Sequence, residues 1–215
     1  MLTSVIAQCV LFVTLRVFCE NLQFRNEETP ARIASIVHSL GTAFFIRAQR
    51  NLDSIATTLF ALCVDWLLNT WYGKKIRLSS VLHHSAGIGL CLFSIWKRTW
   101  DPAHTWGEIT MALVSMEITN PIVNLTIVCH DEYRALFEFV KIPLCALTLG
   151  AWIYYRIWTL GLAAFRLWEK TPLNTYTQWY FHCVLVLCLL QVYWLKKLFN
   201  AALRKSGTEP KSNVV

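Results

Sequence analysis

Apolar residues run through this chain in blocks of about 17 to 25 residues, the length that an α-helix needs to cross a bilayer. The blocks lie at 1–19, 31–47, 52–72, 79–96, 107–129, 139–163 and 177–197, and short polar connections separate them. The pattern predicts an all-α, polytopic transmembrane helix bundle of six to seven spans. Pro30, Pro102 and Pro172 stand just before the second, fifth and seventh blocks, where a helix has no intrahelical donor to lose. Pro121 lies well inside the fifth block, so a kink and a freed carbonyl are expected there. The chain divides into a first helix and loop at 1–29, a helical bundle at 30–200 and a polar tail at 201–215.

Composition agrees with a chain mostly immersed in lipid. Of its 215 residues, 55% are hydrophobic and 15% are charged, against about a quarter charged in soluble domains. The first block lacks the basic start of a signal peptide, its one base being Arg16 at the far end, so it reads as a retained helix. The eight cysteines fall mainly inside apolar blocks without a CxxC pair, which implies neither a disulfide framework nor a zinc site.

The net charge of +7 comes from bases clustered beside the blocks, so it speaks for lipid headgroups and topology rather than for nucleic acid. With seven crossings, Arg25, Arg32, Lys74, Lys75, Arg77, Arg134, Lys141, Lys196, Lys197, Arg204, Lys205 and Lys211 share one side. If that side is the cytosol, or the matrix of a mitochondrial inner membrane, the tail faces it and the N-terminus faces away. Tryptophans and tyrosines near block ends, such as Trp66, Trp71, Tyr72, Trp96 and Trp179, form an interfacial belt.

Polar side chains inside the blocks carry the chemistry, because an unpartnered polar group in hydrocarbon costs kilocalories. His38, Asp65, His84 and Asn124 each lie about 8 to 10 Å from the basic side at 1.5 Å per residue, which suits convergence on one chamber. Glu117 lies deeper and, two turns before Asn124, shares its face; Asn120 falls in the same stretch. His83 and His84 are adjacent and point about 100° apart, so one can face the chamber while the other bonds a neighbouring helix. A neutral imidazole there could accept a proton, with Asp65 fixing its tautomer. A purely structural polar seam is the rival reading. His38, His83, His84, Asp65 and Glu117 could ligate a metal, but their spacing carries no metal motif, and none is assigned; no cofactor is expected. Arg156 is expected to snorkel or pair, Gly87 and Gly89 to permit close packing, and the Asn124-Leu125-Thr126 triplet to be inaccessible to glycosylation.

The order of these motifs resembles the TLC-domain family, the membrane domain of TRAM-type translocon-associated proteins and of ceramide synthases. The resemblance rests on Arg32 through His38 and Ser39, Cys63-Val64-Asp65, Val81-Leu82-His83-His84, Met116 through Asn124, and Leu173-Asn174 followed by Trp179. It implies six or seven helices around a polar-lined cavity, with a lipid-related function in the endoplasmic reticulum or another internal membrane. In the enzymes of the family the histidine pair and the neighbouring acid are associated with acyl transfer from acyl-CoA to a long-chain amine; His83, His84 and Asp65 match them. The fourth span continues as Ser85-Ala86-Gly87-Ile88-Gly89 without the further acids of the enzymes.

The expected function is therefore lipid binding that affects membrane composition or organisation, alone or as a non-catalytic subunit of a membrane complex. Its cavity would be lined by His38, Glu117, Asn120 and Asn124. The alternative is an acyl-CoA-dependent N-acyltransferase with His83 or His84 as base, Asp65 as its partner, and Lys74, Lys75 and Arg77 drawing headgroup or CoA phosphates. Partners are membrane lipids, with the endoplasmic reticulum as the expected site and the mitochondrial inner membrane as the alternative.

Overall fold

A computed structural model describes residues 2–48, 50–74, 77–99, 101, 107–170 and 175–204. Lys75, Pro102, Pro172, the Leu173-Asn174 pair, Lys205 and Lys211 lie outside them.

The apolar blocks fold as helices, α1 (Leu2–Glu20), α2 (Thr29–Arg47), α3 (Asn51–Trp71) and α4 (Leu78–Lys97). The fifth block is α5 (Gly107–Ser115), a 3-10 turn (Met116–Thr119) and α6 (Asn120–Glu132). The sixth is α7 (Arg134–Ala151), a π-helical stretch (Trp152–Thr159) and α8 (Leu160–Lys170), and α9 (Thr175–Arg204) closes the bundle. Among the described residues, six segments are long and apolar enough to cross a membrane: Thr3–Glu20, Asn51–Trp71, Leu78–Lys97, Thr110–Glu132, Arg134–Glu169 and Gln178–Lys197. The chain is an all-α integral membrane protein.

The second block is absent from those six, and its position explains why. Helix α2 packs against α1, α3 and α6, and Ala34, His38, Ser39, Thr42 and Phe45 on it are buried. A helix packed against three neighbours needs groups that bond them, and Arg32, Ser35, His38, Ser39 and Thr42 lower its apolarity, while Leu40 and Phe44 stay exposed on its outer face. The lipid-facing helices show the converse. Phe18, Leu67, Trp71, Trp96, Phe139, Ile142, Trp158, Phe165 and Leu189 are exposed, a surface that water would not tolerate and hydrocarbon does.

The largest apolar core joins Leu90 and Phe93 of α4, Leu113 of α5, Leu160 and Leu167 of α8, and Tyr180, Val184 and Leu187 of α9. It fills the half of the bundle remote from Lys74, Arg77 and Lys197. Gly87 and Gly89 permit close approach of α4 to α3 and to α9: a Cβ on Gly87 would fall 2.8 Å from Leu62 Cδ1, and one on Gly89 2.9 Å from Trp179 Cη2. Buried polar residues occur at both ends, Asn51, Asp53, Thr99 and Thr110 at the remote end and His38 and Asn124 towards the basic one.

Pro121 produces a break different from the expected mid-helix kink. The backbone tightens into the 3-10 turn ahead of it, and α6 restarts at Asn120 with the proline in its first turn, where no donor is missed. Facing this overwound turn, the sixth span unwinds into its π-helical stretch, a departure that typically marks a site where a side chain is re-aimed. Here that side chain is Arg156.

Candidate functional site

The polar residues converge. His38, Asp65, His83, His84, Glu117, Asn120 and Asn124 all line one cavity of about 530 Å³ at the basic end, and Lys74 and Arg77 stand at its rim. Apolar wall is supplied by Phe12, Ala61, Leu62, Val123, Ile127, Trp152 and Trp194. Eight segments of the bundle, α1, α2, α3, α4, the 3-10 turn, α6, the π-helical stretch and α9, thus present polar groups or aromatic rings to one space.

Asp65 is tied in three directions. Its Oδ2 accepts from Asn69 Nδ2 at 2.9 Å and lies 3.3 Å from His84 Nε2. Its Oδ1 lies 3.8 Å from Nε of Arg16, a guanidinium with no exposed surface. Arg16 Nη2 donates to Asn69 Oδ1 at 2.7 Å, and its Nη1 pairs with Glu20 at 2.5 Å. Lys74 Nζ reaches the same Glu20 carboxylate at 2.6 Å and donates to the Glu27 carbonyl at 2.6 Å. Helix α1 is therefore stitched to α3 by charge, and Lys74 belongs to this network.

His84 is committed at both nitrogens. Nδ1 lies 2.8 Å from the Ser80 carbonyl oxygen, which can only accept, so Nδ1 carries a hydrogen. Nε2 then faces Asp65, and the contact is attractive when a second proton lies between nitrogen and carboxylate. Asp65 thus partners His84 as the sequence suggests, but through the nitrogen that a general base would turn to its substrate. The neighbouring His83 differs. Its ring stacks edge-on between His84 and Trp194, with centroids 5.6 and 5.3 Å away, and its Nδ1 is buried without a hydrogen-bond partner in the protein.

Deeper in the cavity, Glu117 Oε2 accepts from Ser39 Oγ at 3.0 Å and from Asn120 Nδ2 at 2.7 Å. Asn120 Oδ1 accepts from Arg156 Nη2, so the amide bridges carboxylate and guanidinium. Arg156 also donates to Thr119 Oγ1, to Gln191 Oε1 at 3.0 Å and to the Met116 carbonyl at 3.3 Å, and it covers the Trp152 ring at 4.5 Å. It is paired and buried, and it locks the 3-10 turn, the π-helical stretch and α9 together. His38 Nε2 lies 3.4 Å from Thr42 Oγ1, and its ring meets Phe12 edge-on at 5.7 Å. Asn124 accepts from Arg32 Nη1 at 3.4 Å and donates to Ser35 Oγ at 3.1 Å.

Beyond the expected residues, the site draws on Arg16, Glu28, Arg32, Asn69, Arg156 and Trp194. A signal for three of these was present: Arg16–Glu20 and Glu28–Arg32 are i,i+4 opposite-charge pairs, which share a helix face. No sequence signal tied Trp194 to His83. Among the described residues no three His, Cys, Asp or Glu side chains gather as a metal would require. Comparison of the chain with models of known protein families, with curated proteins and with solved structures gave no match.

Proposed function

We propose that the chain is a lipid-binding integral membrane protein of TLC-domain type, which holds an amphiphile in its cavity and affects membrane lipid composition or organisation without catalysing a reaction. One observation carries this reading. Most polar groups of the wall are satisfied by one another, yet Arg32 Nε, Thr58 Oγ1 and His83 Nδ1 are buried without protein partners, and all three residues line the same cavity. Buried polar atoms are rarely left unpaired, and each costs about 1–3 kcal/mol when they are. The cavity's volume is within the range of small-ligand sites, and its mixed wall suits a molecule with a polar and an apolar part. An internal membrane, the endoplasmic reticulum first and the mitochondrial inner membrane second, belongs to this reading.

The test is purification in mild detergent and mass spectrometry of retained lipid, with His83→Ala and His84→Ala in parallel. His83→Ala is expected to lower retained lipid several-fold at an unchanged melting temperature, whereas His84→Ala lowers the melting temperature by breaking the Asp65 network. Lipid no richer than the bulk extract in the wild-type protein would overturn the proposal.

A second reading, acyl transfer from acyl-CoA to a long-chain amine, is favoured by the same unpartnered imidazole. Because His84 has no free nitrogen, the base in this reading is His83. Its Nδ1 takes the amine proton as the N–C bond forms, and the C–S bond breaks to release the thiolate. Amide formation from these two substrates, abolished by His83→Ala, would establish it, and turnover unchanged in that variant would exclude this base.

A further inference from the structure

At the rim of the cavity one carboxylate holds two guanidiniums that come from different elements. Glu28, immediately ahead of α2, pairs through Oε2 with Arg32 Nη2 at 2.5 Å and through Oε1 with Arg77 Nη2 at 3.0 Å. Arg32 belongs to α2, and Arg77 precedes α4. Glu28, Arg32 and Arg77 all line the cavity, with Lys74 and Lys197 beside them. Lys74 is taken up by Glu20, whereas Lys197 has its ammonium over the Tyr193 ring at 4.6 Å.

The carboxylate does not exhaust this clamp. Arg32 presents a side-on fork of Nε and Nη2, of which Glu28 takes only Nη2, and Nε stays buried without a partner. A carboxylate has two oxygens and spends one on each arginine. A phosphate monoester has three terminal oxygens, enough to meet Arg77 Nη2 and both members of the Arg32 fork. We propose that Arg32 and Arg77 form a phosphate-binding site at the mouth of the cavity, and that Glu28 occupies it as an internal competitor that the ligand's phosphate displaces.

This inference rests on the lipid-binding reading in one respect, namely that the phosphate is a lipid headgroup whose chain enters the cavity. Phosphate in free form shares the chemistry, so the two sources are separated by experiment. The full chain in mild detergent is titrated with short-chain phosphatidic acid, with short-chain phosphatidylcholine and with inorganic phosphate.

Glu28→Gln removes the competing charge and is expected to tighten phosphatidic acid binding about tenfold, the worth of a charged hydrogen bond. Arg77→Gln, at a side chain 65% exposed, should weaken it by a similar factor without loss of fold. Phosphatidylcholine, whose phosphate is a diester with two terminal oxygens, should respond less to either change. If inorganic phosphate shows the same gain in Glu28→Gln, the site reads the anion itself, and the proposal stands even where no lipid binds and the lipid-binding reading fails. Affinity for phosphatidic acid and for inorganic phosphate that is in both cases unchanged or weaker in Glu28→Gln, in protein with a wild-type melting curve, overturns it. Arg77→Gln decides the matter if Glu28→Gln does not fold: unaltered affinity there also overturns it.

Discussion

Replacing Arg156 with Met is expected to destabilise the protein by about 3–5 kcal/mol, the range seen when one member of a buried charged network is removed. The methionine would fill much of the space, so the loss measures unpaired polar groups rather than a void. Thr119, Asn120, Gln191 and the Met116 carbonyl all face the guanidinium. Without it, Asn120 has only Glu117 left to bond, and that carboxylate loses the cation bridged to it. Arg156→Lys should fall between the two, because an ammonium keeps the charge but cannot span acceptors on the 3-10 turn and on α9 at once. Thermal unfolding in detergent, followed by tryptophan fluorescence, reads the difference, and a melting temperature within a degree of wild type for Arg156→Met would contradict this account of the buried network.

The second large effect is expected at Asp65. Asp65→Ala leaves the buried Arg16 guanidinium with Glu20 and Asn69 alone, removes the acceptor facing His84 Nε2, and should cost about 2–4 kcal/mol. The argument is sharper as a cycle. Arg16→Met and Asp65→Ala together should cost less than the sum of the two singly, by about 1–3 kcal/mol, since each single change strands the other charge. Additive losses would mean that the 3.8 Å contact between them carries no coupling.

These energies bear on what the sequence made legible. The helices followed from block length, because hydrocarbon admits little else, and convergence followed from depth, because His38, Asp65, His84 and Asn124 sit at one level in antiparallel helices. Periodicity could not say which nitrogen of His84 meets Asp65. That depends on Ser80, whose backbone carbonyl captures the other nitrogen from one turn away, and any residue could supply that carbonyl. Lys74 and Arg77 look alike in the sequence as free bases near a membrane. In the fold one closes on Glu20 from α1 and the other on Glu28 from the start of α2, contacts that only the tertiary arrangement creates. The reach of Arg156 was equally hidden, since it follows from the π-helical stretch, and nothing in Trp152–Thr159 announces an underwound turn.

Helix α2 has a consequence for how the molecule is made. Nineteen residues give it about 28 Å, enough to cross the hydrocarbon, yet its composition leaves it outside the set of segments apolar enough to do so. A segment of this kind does not partition into lipid by itself as it emerges from the ribosome; it enters when α1 and α3 are there to receive Gln8 against the His38 carbonyl and Thr57 beside Thr42. Chains that end at residue 48 and are released from the ribosome should therefore leave cysteines introduced as Leu40→Cys or Phe44→Cys accessible to water-soluble thiol labels, and released chains that extend past residue 72 should protect them. Helix α2 then commits only after its successor α3 has been made, and biogenesis waits on the element around which the cavity is built.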